Sequence, residues 1–482
     1  MASVKGNIIL NGINTVTGII FPMITFPYAA RVLMPDGIGT VNFLNSIISY
    51  IVLLTGLGIP VYAVREVAKY RDNLILRDRI AVEIICLSFL LCLLGYAGVW
   101  ALAEFVPQIH QDMALFYVLS LSIVFTSIGV NWFYQGIEDF KFITVRAVVI
   151  RTLAAIALFL FVKDEGDLLI YGLILVGSTV GNNFINFVHL RKYIRLSLIK
   201  IGDLDILRHI KPALQVFVLL LIISLYVHLN SIMLGFISGD EQVGYFTAGT
   251  KMSHIGLTII TSLGTVLLPR CSHLVKIGDK AGFESIIKKS LNVTLALSLP
   301  MTAGLMILAY PVTLVFCGQE YVESIPVLYI NASVIIFVSL ANVTSNQVLY
   351  PMDKIKLVLI SVTSGAVVNL LMNFILIPRC GAVGAAVSAT LVEFIVLFVQ
   401  LVFGRKYYPF KISDLVVWRY IISTIVMSVL VLLCMFAIPS NVWQVVIGGC
   451  VGAVSYFMML VLMKDPIAYE LVVNLKNKFI CN

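Results

Sequence analysis

Long apolar stretches of this chain are almost free of charge, so the few ionisable and amide side chains inside them define the chemistry on offer. Lys251, Arg151 and Arg31 are cations within or at the edge of such stretches, the kind of group that grips an anion. Lys251 lies about eight residues into its stretch, roughly 12 Å at 1.5 Å per residue, which is deep for a lysine that snorkels to an interface. Arg151 lies about ten residues in, roughly 15 Å. Arg31 closes its stretch and reads equally as an interfacial anchor or a cavity group. Arg146, about five residues in, reads as snorkelling. Glu393, about ten residues into another stretch, must be neutralised or paired, which suits proton or cation coupling or a structural hydrogen bond to a neighbouring helix. Asn369 and Asn373, four apart, share a helix face. With Thr390 and Asn230 they offer neutral oxygens to Na⁺, or equally join helices by hydrogen bonds. His228 has no evident partner in sequence and reads as a packing histidine.

These groups need elements that hold them at depth. The chain has 482 residues, of which 60% are hydrophobic and 12% charged. A soluble chain carries about twice that charge, and at about 20 residues per membrane helix the apolar content suffices for roughly fourteen spans. Charge-free runs place them at 7–33, 38–61, 80–103, 113–134, 142–162, 168–188, 212–237, 244–269, 287–309, 325–350, 355–377, 383–403, 417–438 and 442–463. The fold class expected is an all-α integral membrane protein with about 14 transmembrane helices. Shifting the sequence by 205 lays Gly39 on Gly244 and Arg65 on Arg270, and a shift of 215 lays Glu138 on Asp353 and Lys141 on Lys356. Such repetition predicts a six-helix lobe over 1–190, a cytoplasmic connector 191–211, a second six-helix lobe over 212–403, and helices 13–14 with a cytoplasmic tail over 404–482. Pro22, Pro27 and Pro300 fall within spans as kink or hinge positions.

The net charge of +8 has a positional explanation. Of 33 Lys and Arg, 27 fall in the N-terminus, the loops after even-numbered spans and the C-terminal tail, whereas the opposite loops are acidic or nearly free of them. Lys and Arg are retained on the cytoplasmic side, so both termini are read as cytoplasmic and the surplus as topology, with no nucleic-acid partner. The eight Cys form no C-x-x-C and no His cluster, which argues against metal and disulfide roles. The first span reads as retained rather than as a cleaved signal. Walker A, G-x-S-x-G and H-E-x-x-H motifs are absent, and the longest outside loop, 310–324, is too short for an active site. Trp132, Phe133 and Tyr134 are placed in an interfacial aromatic belt.

Two segments carry a family likeness. Phe26-Pro27-Tyr28-Ala29-Ala30-Arg31-Val32-Leu33-Met34-Pro35-Asp36-Gly37-Ile38-Gly39 resembles the P-Y-x-x-R-x-L signature of Wzx-type polysaccharide flippases, and Trp132-Phe133-Tyr134-Gln135-Gly136-Ile137-Glu138-Asp139-Phe140-Lys141 resembles their W-x-x-Q-G-x-E-x-x-K segment. Val243-Gly244-Tyr245-Phe246 with Lys251, and Asn373-Phe374-Ile375-Leu376-Ile377-Pro378, fit the second lobe. The resemblance covers nearly the whole chain. It implies the polysaccharide branch of the multidrug/oligosaccharidyl-lipid/polysaccharide exporter superfamily, with two six-helix lobes around a central cavity plus two C-terminal helices. It further implies a flippase that carries undecaprenyl-diphosphate-linked oligosaccharide repeat units from the inner to the outer leaflet of the bacterial cytoplasmic (inner) membrane by alternating access, for O-antigen, capsule or exopolysaccharide synthesis. Lys251, Arg151 and Arg31 become the cationic cavity for the diphosphate, and Glu393, Asn369, Asn373 and Thr390 the ion-coupling set. No resident cofactor is implied beyond H⁺ or Na⁺ as coupling ion. Partners implied are the lipid-linked oligosaccharide, membrane lipids, and a polymerase with other polysaccharide assembly proteins. The competing readings are a cation-coupled small-molecule or multidrug exporter of the same superfamily, opposed by the cationic cavity and the extra helix pair, and a polysaccharide polymerase or ligase, opposed by the short outside loops.

Overall fold

A computed structural model describes residues 4–195, 199, 201–409 and 415–469 of the chain. The expected C-terminal tail beyond 469, with Cys481, lies outside the described residues. Among those residues the secondary structure is helical, without strands. In lipid every backbone N–H and C=O must be satisfied internally, and a chain this apolar meets that demand with helices.

Packing divides the chain into two compact units, Met1–Gly244 and Tyr245–Asn482. The first holds α1 (Val4–Gly56), α2 (Ile59–Lys69), α3 (Leu74–Phe105), α4 (Pro107–His110), α5 (Met113–Ser127), α6 (Asn131–Gly136), α7 (Phe140–Phe161), α8 (Leu168–Leu190) and α9 (Ile210–Ser238). Helix α10 (Asp240–Ile277) starts at its end and runs into the second unit. That unit continues with α11 (Lys280–Ile307), α12 (Ala309–Phe316), α13 (Ser324–Asn331), α14 (Val334–Asn342), α15 (Ile355–Gly404), α16 (Val417–Ala437) and α17 (Asn441–Leu462). Ten helices among the described residues are long and apolar enough to cross a membrane, eleven if the bent pair Leu207–Ile222 and Val227–Ser238 counts as one span.

Helices α1 and α15 contain 53 and 50 residues. If straight, each would run for roughly 75–80 Å, more than twice a hydrocarbon core of about 30 Å. Each is broken once by a non-helical residue, Met34 (φ 59°) in α1 and Gly381 (φ 51°) in α15, so each carries two passes. These two double passes account for part of the shortfall of membrane-length helices against the apolar runs in the sequence. Positive φ recurs at two pairs of positions related by the sequence shifts. The shift of 205 pairs Met34 with Gly239 (φ 88°), and the shift of 215 pairs Glu138 (φ 62°) with Asp353 (φ 60°). Three of these four left-handed positions are not glycine, which costs conformational energy and marks them as set by the surrounding packing.

Three expected elements differ. Span 113–134 is interrupted: α5 stops at Ser127 and α6 starts at Asn131, because Gly129 packs directly on the Asn183 side chain and Asn131 N–H bonds back to the Gly129 carbonyl. Span 325–350 is likewise divided into α13, α14 and a π-helical turn, Val343–Leu349, and at its first break the Ala332 carbonyl accepts from the Thr302 hydroxyl (3.2 Å). Trp132, Phe133 and Tyr134 are not an interfacial belt. They are 5%, 0% and 0% exposed in the core of the first unit, where the Tyr134 hydroxyl donates to the Asn186 carbonyl (2.7 Å). A hydrophobicity reading cannot distinguish an aromatic at the end of a span from one that plugs the bundle.

In the second unit, α16 and α17 form a hairpin on α11 and α12. Gly448 faces Leu308 and Val431, and Gly452 faces Val431 and Met427. Small residues four apart let helices approach where lipid supplies no hydrophobic drive.

Candidate functional site

In the first unit, Arg151 is held by α1. Its Nη1 donates to the Asn14 carbonyl (3.0 Å), Asn14 Oδ1 (3.1 Å) and Thr17 Oγ1 (2.9 Å), and Gly18 leaves room for the guanidinium. Neutral oxygens satisfy the donors without cancelling the charge, so the cation is positioned and still available to an anion. Arg31 stands on the same helix 14 residues beyond Thr17, roughly 20 Å further along, with its side chain exposed three residues before the Met34 kink. Arg146, expected to snorkel, is instead 7% exposed and tied by Nε to Asn182 Oδ1 (3.0 Å) and by Nη2 to Asn131 Oδ1 (3.3 Å).

In the second unit, Lys251 is half-buried on α10, and the preceding Thr250 hydroxyl accepts from Asn331 Nδ2 (3.0 Å), which pins that turn to α13. Asn369 and Asn373 are both fully buried on one face of the first half of α15. Asn369 Nδ2 donates to the Ser388 hydroxyl (3.1 Å), which donates to the Asn369 carbonyl (3.3 Å), so the two halves of α15 are joined through Ser388. Thr390 turns the other way and donates to the Ile330 carbonyl of α13 (3.4 Å). Glu393 is half-buried, and no hydrogen bond or ion pair to it occurs among the described residues. Ser361 and Gln400, which extend the same polar seam, escaped the sequence reading. Gln400 accepts from Thr344 Oγ1 (2.5 Å) and donates to Ser361 Oγ (3.2 Å). The signal was present, a row of small polar residues one or two turns apart, but serines and glutamines in helices carry little individual information.

A buried ionic cluster was also missed. Arg77 donates from Nε and Nη2 to Asp78 Oδ1 (3.0 and 2.7 Å) and from Nη2 to the Tyr193 carbonyl, while Asp78 Oδ2 accepts from Arg195 N–H. Glu83, fully buried, gathers Arg79 (2.9 Å), Arg208, His209 Nε2 (2.9 Å) and the Asp205 N–H. His209 Nδ1 pairs with the Tyr62 hydroxyl (2.7 Å). Residues 193–195 and 205–209 are thereby clamped to α2 and α3. In sequence these charges are indistinguishable from solvated loop residues.

At the other end of the first unit, the repeat-related Gly39 and Gly244 meet. A Cβ on Gly39 would overlap the Asp240 carbonyl, and one on Gly244 would overlap the Pro35 carbonyl. Beside them Thr40 Oγ1 donates to Asp240 Oδ2 (2.6 Å). Burial pushes the Asp240 carboxyl above the usual carboxylate range, Asp36 and Asp112 push the same way, and the Thr40 hydrogen bond opposes them. Asp112 is raised for the same reasons, burial first and then Asp36. No group of three His, Cys, Asp or Glu suited to a metal ion occurs among the described residues.

A bundle of membrane-length helices, broken at Met34 and Gly381 and carrying single cations and amides within its apolar segments, has the architecture of a membrane transporter. Its fold matches that of a structure described as "Lipid II flippase MurJ, inward closed conformation" with a TM-score of 0.76 at 16% identity, covering 95% of this chain and all of that one. It also matches an inward-facing multidrug resistance MATE family transporter of the MOP superfamily, with a TM-score of 0.64, 15% identity, and coverage of 80% of this chain and 93% of that one. Residues 4–275, more than half of the sequence, match the polysaccharide biosynthesis protein family, and the chain belongs to that family. It is 23% identical over 404 residues to the "Putative O-antigen transporter" of Escherichia coli (strain K12), covering 84% of this chain and 97% of that protein. It is 22% identical over 390 residues to the "Capsular polysaccharide biosynthesis protein CapF" of Staphylococcus aureus, covering 77% and 92%.

Proposed function

We propose that this transporter is a flippase for undecaprenyl-diphosphate-linked oligosaccharide repeat units, moving them from the inner to the outer leaflet of the bacterial cytoplasmic membrane for surface polysaccharide assembly. The observation that carries this reading is the family match over residues 4–275, joined to near full-length similarity to a protein named as an O-antigen transporter. The positive bias of the loops supports cytoplasmic termini. Lys251, Arg151 and Arg31 are the cations for the diphosphate: Arg151 is preset by neutral oxygens, and the other two stand on α10 and α1. Glu393 serves the coupling ion, with Asn369, Asn373 and Thr390 as neutral oxygens near the α15 junction. The lobes 1–190 and 212–403 exchange access to the two leaflets by bending at the Met34 and Gly381 breaks. A polymerase receives the repeat units on the outer face.

The energetics agree with this assignment. Each charge that crosses 100 mV is worth about 2.3 kcal/mol, so an anionic head group leaving a negative-inside cell is driven outward. The decisive experiment is a clean deletion. It should leave lipid-linked repeat units protected from externally added glycosidase and remove surface polysaccharide. A deletion strain with normal surface polysaccharide would refute the proposal. Gain of dye or antibiotic sensitivity alone would instead favour a drug exporter.

A further inference from the structure

A groove of about 420 Å³ beside α3 and residue 195 is mostly loop surface, whereas a second one, between α7 and α8, combines charge with apolar surface in a way that identifies an occupant. This second cavity measures about 520 Å³ and is lined by Lys141, Arg146, Phe142, Val145, Val149 and Ile185, with Asp139, His189 and Tyr193 at its end. Its inner wall holds the Arg146 guanidinium, 7% exposed, with the Phe142 ring 5.4 Å away. Two of its nitrogens are satisfied by Asn182 and Asn131, while Nη1 is buried with no hydrogen-bond partner among the described residues. No carboxylate forms an ion pair with Arg146 among the described residues. A buried guanidinium with a donor left over and its charge unmatched is costly unless an anion arrives. Lys141 is exposed at the rim, one residue into α7. The carboxylate of Asp139 is occupied: it accepts from the Phe142 N–H (3.3 Å) and the Tyr193 hydroxyl (3.0 Å). Two cations against one carboxylate leave a single positive charge, which matches a phosphodiester better than a diphosphate. Below this end, Val145, Val149 and Ile185 are 53%, 49% and 37% exposed, an apolar strip leading toward the middle of α7. Arg146 lies six residues from the start of α7, or about 9 Å, the depth of the head-group boundary rather than of the bilayer centre.

We propose that the α7–α8 groove is a binding site for an anionic glycerophospholipid, with its phosphate at Lys141, in the field of the buried Arg146 guanidinium, and an acyl chain along Val145, Val149 and Ile185. The site goes beyond the transport reading and does not rest on it. The bound lipid fills the groove, balances the Arg146 charge and couples the packing of α7 and α8 to the charge of the surrounding leaflet.

The test is native mass spectrometry of the full-length protein in detergent, titrated separately with phosphatidylglycerol, phosphatidylcholine and undecaprenyl phosphate. Wild type should retain one phosphatidylglycerol at least tenfold more strongly than phosphatidylcholine. Arg146 is buried, so Arg146→Gln is paired with two surface changes that spare the core: Lys141→Gln, which should weaken retention several-fold, and Val145→Trp, which should block it sterically. Equal retention of the two phospholipids by wild type, or unchanged retention in both surface variants, would overturn the assignment. Undecaprenyl phosphate displacing phosphatidylglycerol at equal concentration would also overturn it, in favour of a carrier-lipid site. The readout involves no transport, so its failure leaves the flippase reading untouched.

Discussion

At the scale of single residues, the structure separates cations paired with carboxylates from cations held by neutral oxygens. Arg77 and Asp78 are both buried and satisfy each other, so removing one partner strands a charge. Asp78→Ala should lower stability by about 3 kcal/mol, readable as a loss of thermal stability in detergent. An unchanged melting profile would show that Arg77 finds water or another acceptor. Arg151 differs, because its contacts are carbonyl, amide and hydroxyl oxygens. Arg151→Gln and Lys251→Gln should leave expression intact while abolishing complementation of a deletion strain, whereas normal surface polysaccharide with both variants would eliminate the cationic-cavity assignment.

Helices and their junctions carry the next set of consequences. Gly39 and Gly244 occupy equivalent positions in the two repeats and meet at carbonyl-to-Cα distance, where no side chain fits. Gly39→Ala and Gly244→Ala should each force α1 and the start of α10 apart, visible as lost exchange protection over residues 34–41 and 238–244. Protection equal to wild type would mean that the junction yields elsewhere. The neighbouring Asp240 adds a pH term. Its carboxyl pKa is raised in the closed junction, so closure favours the protonated form. That stabilisation is complete below the ordinary aspartate value and is lost as pH climbs through the raised one. Exchange protection, corrected for intrinsic rate, should therefore fall as pH rises above the ordinary aspartate range, and Asp240→Asn should remove most of the difference. A pH dependence that survives the substitution would assign it to Asp112 or another group.

For the whole molecule, the controlling quantity is the field across the membrane. A cargo carrying two negative charges gains about 4.6 kcal/mol per 100 mV if the protein's own cations stay in place. Dissipating the membrane potential with an ionophore should slow outward transfer of lipid-linked repeat units in vesicles well beyond any effect of a pH gradient alone. A rate indifferent to the potential would mean that protein charges move with the cargo or that a coupled ion dominates. The clamp of residues 193–195 and 205–209 onto α2 and α3 acts at this scale too, since it fixes the approach to α9 within the first unit.

Sequence alone determined the membrane character and the positions of the apolar runs, because each follows from composition and period. The breaks at Met34 and Gly381 fell where two apolar runs met, so they were legible as span ends. The breaks after Ser127 and Asn331 were not, since the cause lies in the Asn183 and Thr302 side chains of other helices. Asn369 could be placed on a helix face from spacing, but its pairing with Ser388 depends on the angle at Gly381. The burial of Arg146, Glu83 and Arg77 is the largest revision. Charge cost depends on the surrounding packing and hydrogen-bond partners, and each of the three has one supplied from 36 to 126 positions away in the chain. Only the folded chain decides which cations are anchors and which remain open to a phosphate.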